Sequence, residues 1–325
     1  SEMCIRDRIR TLIQYWRIKN MNPFDANERH RYIIESGGNP VSSADGKEKE
    51  IWVNSINIDI DTPIYRYMKW EYLQQFYSEP MHEWILVRPC LWQDKFEQFI
   101  FKCDRVHSIK SDMDIEISNL ADQYYAQCWT IIEESSLQWQ VNKQHTNSCY
   151  DNINDDDNGE IWVKVRSTPR KLLGAMFYSS NNLVENTFNI MTYFIGKVEY
   201  LDSEAIEKFT ITNPTQLMDQ TGLQQVLFLL QKRMPYQQEQ EVRLIMQVDS
   251  EFCSRHQDNI IGRKIDNWYD LIDEIVLDPW VTRNQERAVK SFLSQLAHQQ
   301  NQKTICCWKS HLNDYPQYLV PTLNI

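Results

Sequence analysis

The stretch from Pro235 to Met246 reads PYQQEQEVRLIM, and its alternation decides the fold class. Successive side chains of a β-strand point to opposite faces of a sheet. A strand here therefore places the charged residues Glu239, Glu241 and Arg243 on one face. The other face then carries only apolar side chains: Val242, Leu244, Met246 and Val248. This pattern predicts one continuous strand with a buried apolar face.

The charged face of this strand has two interpretations. Charged strand faces usually contact solvent, and Arg243 would then simply pair with a glutamate. Alternatively, the face lines a cleft in which two carboxylates act on a substrate. In that case Glu241→Gln removes a charge that the reaction needs, and folding should barely change.

Length and composition indicate a large globular protein. The chain has 325 residues, of which 42% are hydrophobic and 12% aromatic, so it can bury a sizeable core. Residues 1–50 are interpreted as an N-terminal helical extension and linker, and residues 51–325 as a single α+β domain. The opening SEMCIRDR resembles sequencing-adapter read-through, which leaves two alternatives open for residues 1–20: native sequence, or a natural start at a later residue such as Met21.

Charge and cysteine content favour a cytoplasmic protein that does not bind nucleic acid through charge alone. The net charge is -11, whereas nucleic-acid binders are usually basic. No apolar run approaches a membrane span, and no signal peptide is visible. The eight cysteines form no C-x-x-C pair, which favours a reduced compartment over a disulfide framework or a zinc site.

Common nucleotide-binding and hydrolase motifs are missing from the sequence. The chain has only eight glycines, and neither G-x-G-x-x-G nor G-x-x-x-x-G-K-[ST] occurs. Dinucleotide-binding Rossmann folds and P-loops need such glycines, so neither is expected. The sequence also lacks G-x-S-x-G and H-E-x-x-H, and the histidines show no ligand spacing, so no metal site is predicted.

Periodicity along the rest of the chain predicts mixed elements. Strands are predicted at 51–60, 64–67, 84–89, 125–132, 161–167, 196–201 and 274–279. Helices are predicted at 68–79, 169–176, 182–193, 215–233 and 283–299. Because strands and helices do not alternate strictly, the sequence indicates an α+β fold with a mixed or largely antiparallel sheet and flanking helices.

Six stretches in order resemble a bacterial family, the domain-of-unknown-function 2971 family. They are Ile64-Tyr65-Arg66-Tyr67; Val87-Arg88-Pro89 continuing to Asp94, Phe96 and Glu97; Cys128-Trp129-Thr130 with Glu134-Ser135 and Trp139; Val163 to Thr168; Lys232 to Arg243; and Glu274 to Pro279. The family usually has Asn-Asp-Pro-Phe in the second stretch, where this chain has Gln93-Asp94-Lys95-Phe96. The resemblance covers residues 62–300.

The same order of residues is similar to ADP-ribosyltransferases of the R-S-E type. In those proteins an early strand carries Arg, a middle strand carries Ser or Thr, and a late strand carries E-x-E. The corresponding residues here are Arg66, then Thr130 or the pair Ser167 and Thr168, then Glu239-x-Glu241. The resemblance implies an ADP-ribosyltransferase-like fold and NAD as the substrate.

This resemblance also implies a role for each residue. Glu241 would stabilise the positive charge that builds on the ribose when the nicotinamide bond breaks. Glu239 would position or deprotonate the acceptor. Arg66 would hold a phosphate of NAD, and Thr130, Ser167 or Thr168 would support the ribose or Glu241. The acceptor would be a nucleic acid or a protein, in the setting of a toxin or an anti-phage defence effector.

Three alternatives remain open at this point. Arg66 could pair with Asp94 or Glu97 as a structural arginine. The chain could be a non-enzymatic binding or sensor domain of a defence system. Finally, it could be a metal-dependent nuclease, using carboxylates from Asp94, Glu97, Glu239 or Glu241.

Overall fold

The structure is a computed structural model of the whole chain. It describes residues 31–32, 52–92, 94, 96–97, 101, 105–108, 112–117, 120–144, 159–181, 190–212, 223–248, 252–253 and 257–314. Residues 1–30 and 33–50, which belong to the predicted extension and linker, lie outside this description.

The described part of the chain contains fifteen β-strands. They are β1 (Arg31–Tyr32), β2 (Trp52–Ile56), β3 (Ile64–Lys69), β4 (Glu83–Val87), β5 (Arg105–Ser108), β6 (Met113–Glu116), β7 (Tyr124–Thr130), β8 (Trp162–Ser167), β9 (Ile190–Lys197), β10 (Glu199–Leu201), β11 (Gln231–Arg233), β12 (Glu241–Val248), β13 (Ile260–Lys264), β14 (Glu274–Leu277) and β15 (Cys306–Lys309).

Six α-helices accompany the strands in the described residues. They are α1 (Trp70–Ser78), α2 (Ser136–Gln144), α3 (Pro169–Asn181), α4 (Ser203–Thr212), α5 (Leu223–Leu229) and α6 (Arg283–Gln300). Helix α6 begins with a reciprocal capping box, in which the Thr282 side chain accepts from the Gln285 N–H and the Gln285 side chain accepts from the Thr282 N–H. Short 3-10 turns include Met234–Glu239, which directly precedes β12.

Eleven of these strands form one sheet. Its main path runs β1-β2-β9-β12-β7-β3-β8-β14-β15. Strand β4 also pairs with β7, and β13 pairs with β4, so these two strands form a branch beside the path. Within this sheet β2 pairs parallel with β9, and β14 pairs parallel with β15. The other strand pairs of the sheet are antiparallel. The prediction of an α+β fold with a largely antiparallel sheet is therefore confirmed.

Strand β12 lies in the middle of this sheet and is buried on both faces. It pairs with β7 on one side and β9 on the other. Val242, Leu244, Met246 and Val248 are fully buried in one core cluster, as the alternation predicted. The opposite face is also buried, because Ile245 packs in a second cluster with residues of α5. The interpretation of the charged face as solvent-exposed was therefore wrong, whereas its second part, pairing of Arg243 with a glutamate, is confirmed by the hydrogen bonds from Arg243 to Glu241.

The predicted continuous strand is wrong at its N-terminal end. β12 starts at Glu241, whereas Glu239 is the last residue of the preceding 3-10 turn. Gln240 between them has φ 43° and ψ 53°, a left-handed conformation that interrupts an extended strand. The helix predicted for 215–233 is also too long, since residues 231–233 form β11, which pairs parallel with β10. The helix predicted for 182–193 is wrong at residues 190–193, which belong to β9 and pair with β12 and β2, while residues 182–189 lie outside the described residues.

The sheet contains a fork beside β7. Strand β3 pairs with β7 only where Tyr65 meets Thr130, and β4 pairs with β7 only where Val87 meets Ala126. Between these two points, the edge of β7 from 127 to 129 has no strand partner on this side among the described residues. We call this opening between β3 and β4 the fork, and it locates the candidate site.

Candidate functional site

A cavity of about 510 Å³, which we call the cleft, opens beside the fork. Its lining comes from β3, β7, the start of α2, the 3-10 turn and the first residue of β12. The lining residues are Tyr65, Arg66, Tyr67, Cys128, Trp129, Thr130, Leu137, Gln138, Pro235, Tyr236, Gln238, Glu239 and Glu241. Four residues predicted from the sequence, Arg66, Thr130, Glu239 and Glu241, are thus brought together.

Arg66 is the cation that lines the cleft, and it has no acidic partner among the described residues. Its Nη1 donates a hydrogen bond to the Cys128 carbonyl at 3.0 Å, across the fork. No carboxylate among the described residues forms an ion pair with Arg66, and its buried Nε has no hydrogen-bond partner. Burial lowers the pKa of this guanidinium, although an arginine stays charged. An anionic ligand would supply the missing counter-charge.

Glu241 is held firmly by two cations. Arg243 binds it with two hydrogen bonds, Nε to Oε1 at 3.1 Å and Nη2 to Oε2 at 2.9 Å. The Lys232 ammonium lies 3.2 Å from Oε2. Burial alone would raise the pKa of Glu241, but the charges and hydrogen bonds of Arg243 and Lys232 lower it to about 2. Glu241 is therefore a permanent carboxylate, and its oxygens are already occupied.

Arg243 is the centre of this buried network. The side chain has no solvent exposure, and besides Glu241 it binds Glu97 Oε1 at 2.5 Å and the Leu229 carbonyl at 2.6 Å. Its guanidinium lies 3.9 Å from the centre of the Trp92 ring, within the range of a cation–π contact. Such complete pairing is what a buried charge requires.

The two acidic residues considered as structural partners of Arg66 bind other cations. Glu97 binds Arg243 and lies 3.3 Å from the Lys232 ammonium. Asp94 binds Arg233 at 2.7 Å. Pairing of Arg66 with Glu97 or Asp94 was therefore the wrong alternative.

Glu239 is the accessible carboxylate of the cleft. One third of its side chain is exposed, against 6% for that of Glu241. Its Oε2 accepts a hydrogen bond from Lys232 at 2.6 Å. Partial burial raises the pKa of Glu239, Lys232 lowers it, and the neighbouring charges of Glu241 and Glu97 raise it further. Three carboxylates share the two cations Lys232 and Arg243, so the cluster carries one excess negative charge that protonation of Glu239 removes.

Thr130 lines the cleft, but its hydroxyl already has partners. It donates to the Glu239 carbonyl at 2.6 Å and accepts from the Ile132 N–H at 3.1 Å. The Ile131 N–H also donates to the Gln240 carbonyl. Thr130 therefore fixes the turn that carries Glu239, a positioning role that differs from the predicted contact with substrate.

The structure does not bring Ser167 and Thr168 to the cleft. Ser167 is fully buried, and its hydroxyl donates to the Leu271 carbonyl at 2.7 Å. The Thr168 hydroxyl accepts from the Lys171 N–H, in the first turn of α3. Both side chains thus make local structural contacts, and neither lines the cleft.

Sequence reasoning missed the residues that control the two glutamates. Lys232 contacts three carboxylates, yet it was predicted in a helix, and Glu97 was considered only as a partner of Arg66 or as a nuclease ligand. One signal was available in the sequence. Glu97 lies in the stretch of the family resemblance that contains Asp94, and Lys232 lies in the stretch that ends at Arg243. The structure shows these two stretches in contact.

Among the described residues, no group of three or more His, Cys, Asp or Glu side chains is arranged to hold a metal ion. No helix within the described ranges combines the length and apolar character of a membrane span.

Comparisons of the chain with family models, with curated proteins and with solved structures each gave no match.

Proposed function

We propose that the cleft binds an anionic nucleotide and that the chain is an NAD-dependent ADP-ribosyltransferase with an ADP-ribosyltransferase-like fold. The observation that carries this proposal is the position of Arg66, a cation without a carboxylate partner among the described residues, in the same cavity as the accessible Glu239. NAD and the reaction class come from the sequence resemblance.

The residues of the cleft suit this reaction, with Arg66 and Glu239 in the roles predicted for them and Glu241 in a different one. The guanidinium of Arg66 would bind a phosphate oxygen. When the bond between ribose and nicotinamide breaks, its electron pair leaves with the neutral nicotinamide, and positive charge develops on the ribose. The acceptor then attacks the ribose carbon, and the Glu239 carboxylate takes the proton of the acceptor. A carboxylate with a raised pKa is suited to this proton transfer.

Glu241 is a positioning residue in this proposal. Because its oxygens bind Arg243 and Lys232, it holds the Lys232 ammonium against Glu239. The macromolecular acceptor would be a protein or a nucleic acid, and the setting a cytoplasmic toxin or an anti-phage effector.

The test is transfer of label from labelled NAD to cell extract. Wild type should label an acceptor, while Glu239→Gln should reduce the rate about 100-fold or more, the usual scale for loss of a general base. The matched control is Glu207→Gln, since Glu207 is an exposed glutamate on α4 that does not line the cleft. Wild-type activity should rise as the pH increases through the raised pKa of Glu239, because the base must be ionised.

A non-enzymatic binding domain is the second candidate, and the neutralised Glu241 favours it. A site whose central carboxylate is already paired can bind an anion at Arg66 without catalysing a reaction. In that case NAD or ADP-ribose binds, Arg66→Gln abolishes binding, and neither label transfer nor NAD loss occurs. Equal labelling by wild type and Glu239→Gln would also contradict the proposed chemistry.

A metal-dependent nuclease receives less support from the geometry. The carboxylates of Asp94, Glu97 and Glu241 bind Arg233, Arg243 and Lys232. A cation would have to compete with these buried ion pairs for the oxygens.

A further inference from the structure

A second cavity of about 510 Å³ lies beside the cleft, and Arg66 and Tyr67 line both. It is bounded by β3, α1, β4 and the start of β8, and Gln127 of β7 contributes to its lining at the fork. Aromatic rings form much of its wall, so we call it the aromatic cavity. The rings besides Tyr67 belong to Tyr72, Phe76, Trp84 and Trp162.

The aromatic wall is rigid at its base. Phe76 and Trp84 are 4% and 2% exposed, and their rings meet edge to face with centroids 4.9 Å apart. The Trp84 indole N–H donates to Gln127 Oε1 at 2.7 Å, and the Gln127 amide donates to the Ile85 carbonyl at 2.9 Å. These bonds tie β4 to β7 beside the fork and fix the orientation of the Trp84 ring.

The outer part of the aromatic cavity exposes apolar side chains to solvent. Tyr72, Ile85 and Ile260 are 56%, 46% and 55% exposed. Apolar side chains that line a cavity and remain exposed to solvent are typical of a ligand-binding surface. A flat ring entering here would cover them and stack on aromatic neighbours.

The polar groups at the aromatic cavity favour a neutral ring over a second anion. The exposed carboxylates of Glu79 and Glu83 belong to its lining and would repel a phosphate. They can accept hydrogen bonds from an exocyclic amine or a ring N–H. The cation shared with the cleft, Arg66, is where an attached phosphate would find its counter-charge.

We infer that the aromatic cavity binds the base of the same nucleotide whose phosphate Arg66 holds. The ligand would therefore extend through the fork, with its anion at the guanidinium and its nitrogen-containing ring between the aromatic side chains. The inference rests on the proposed function in one respect, namely that Arg66 binds the phosphate.

The experiment measures binding of AMP and of ribose 5-phosphate by calorimetry. These probes share a phosphate and a ribose and differ in the base. Wild type should bind AMP about tenfold or more tightly than ribose 5-phosphate, the effect of one stacked base. Tyr72→Ala should weaken AMP binding about tenfold and leave the affinity for ribose 5-phosphate unchanged. Because Tyr72 is more than half exposed, this variant should fold.

Tyr72→Phe is the matched control, because it keeps the ring and should bind AMP as wild type does. Equal wild-type affinity for the two probes would overturn the base-binding inference while leaving phosphate binding at Arg66 intact. Unchanged AMP affinity in Tyr72→Ala would overturn it too. If neither probe binds wild type, both this inference and phosphate binding by Arg66 are contradicted.

Discussion

At the scale of the residue, Glu239 and Glu241 are chemically different although they are two positions apart. Glu241 is buried between Arg243 and Lys232 and has a pKa of about 2. Glu239 is partly exposed and has a raised pKa. The difference arises because the strand begins at Glu241, so only that side chain extends toward the buried guanidinium of Arg243.

Loss of the Glu241 charge should destabilise the fold, contrary to the expectation from sequence. Glu241→Gln leaves the buried charge of Arg243 with one carboxylate partner fewer, and breaking such a buried pair costs about 3 kcal/mol or more. Urea unfolding measures this difference. Glu207→Gln, at an exposed position, should stay within about 0.5 kcal/mol of wild type. A similarly small effect for Glu241→Gln would show that the network does not stabilise the protein.

The lowered pKa of Glu241 also predicts a pH dependence of stability. Its pKa falls from an ordinary value of 4.5 to about 2 on folding. The stabilisation is therefore fully present above pH 4.5 and is lost as the pH falls through about 2, and its size is roughly 3 kcal/mol. The unfolding free energies of wild type and Glu241→Gln should converge by about this amount between pH 6 and pH 2. Parallel curves would contradict the pairing.

At the scale of the element, β12 supplies the centre of the core and one wall of the site. The side chain of Leu244 has no exposure and packs in the first core cluster. Leu244→Ala should lower the free energy of unfolding by about 2–5 kcal/mol. Leu312→Ala is the control, since Leu312 is 41% exposed and should tolerate truncation. Equal midpoints for the two variants would show that β12 does not form the core.

The strand beside β12 gives a second prediction, from two glycines in different surroundings. A Cβ on Gly196 of β9 would lie 2.4 Å from Leu230 Cδ1 and 3.3 Å from Ile56 Cβ. Gly196→Ala should therefore destabilise the fold by about 1–3 kcal/mol through overpacking. Gly174 of α3 has no atom within 4 Å of such a Cβ, so Gly174→Ala should stabilise the helix by up to about 1 kcal/mol. Thermal unfolding compares them, and the same sign for both would refute this account of β9 packing.

At the scale of the whole molecule, local patterns explain the sheet better than they explain the site. The apolar alternation from Val242 to Val248 depends on one strand and was predicted correctly. The break at Gln240 was not predicted, because a single residue in the left-handed conformation does not change the alternation of apolar side chains in the sequence. The contact of Glu97 with Arg243 joins residues 146 positions apart, and a pattern within one segment does not encode such a pairing.

The same distinction explains why the strand position of Arg66 was predicted and the fork beside it was not. The sequence placed Arg66 on an early strand and grouped it with Thr130, Glu239 and Glu241, and the structure brings all four to one cavity. The fork is a property of strand pairing, since β3 and β4 each meet β7 at a single residue pair. That pairing creates the opening across which Arg66 contacts Cys128.

The central claim, that Arg66 anchors an anionic nucleotide in the cleft, is tested most directly by the affinity for ADP-ribose measured by calorimetry. Wild type should bind, and Arg66→Gln should weaken binding at least about tenfold, the effect of losing a charge-assisted hydrogen bond. Arg287→Gln, which removes an exposed arginine of α6, should bind as wild type does. Absence of binding to wild type, or equal affinities for wild type and Arg66→Gln, would contradict the claim.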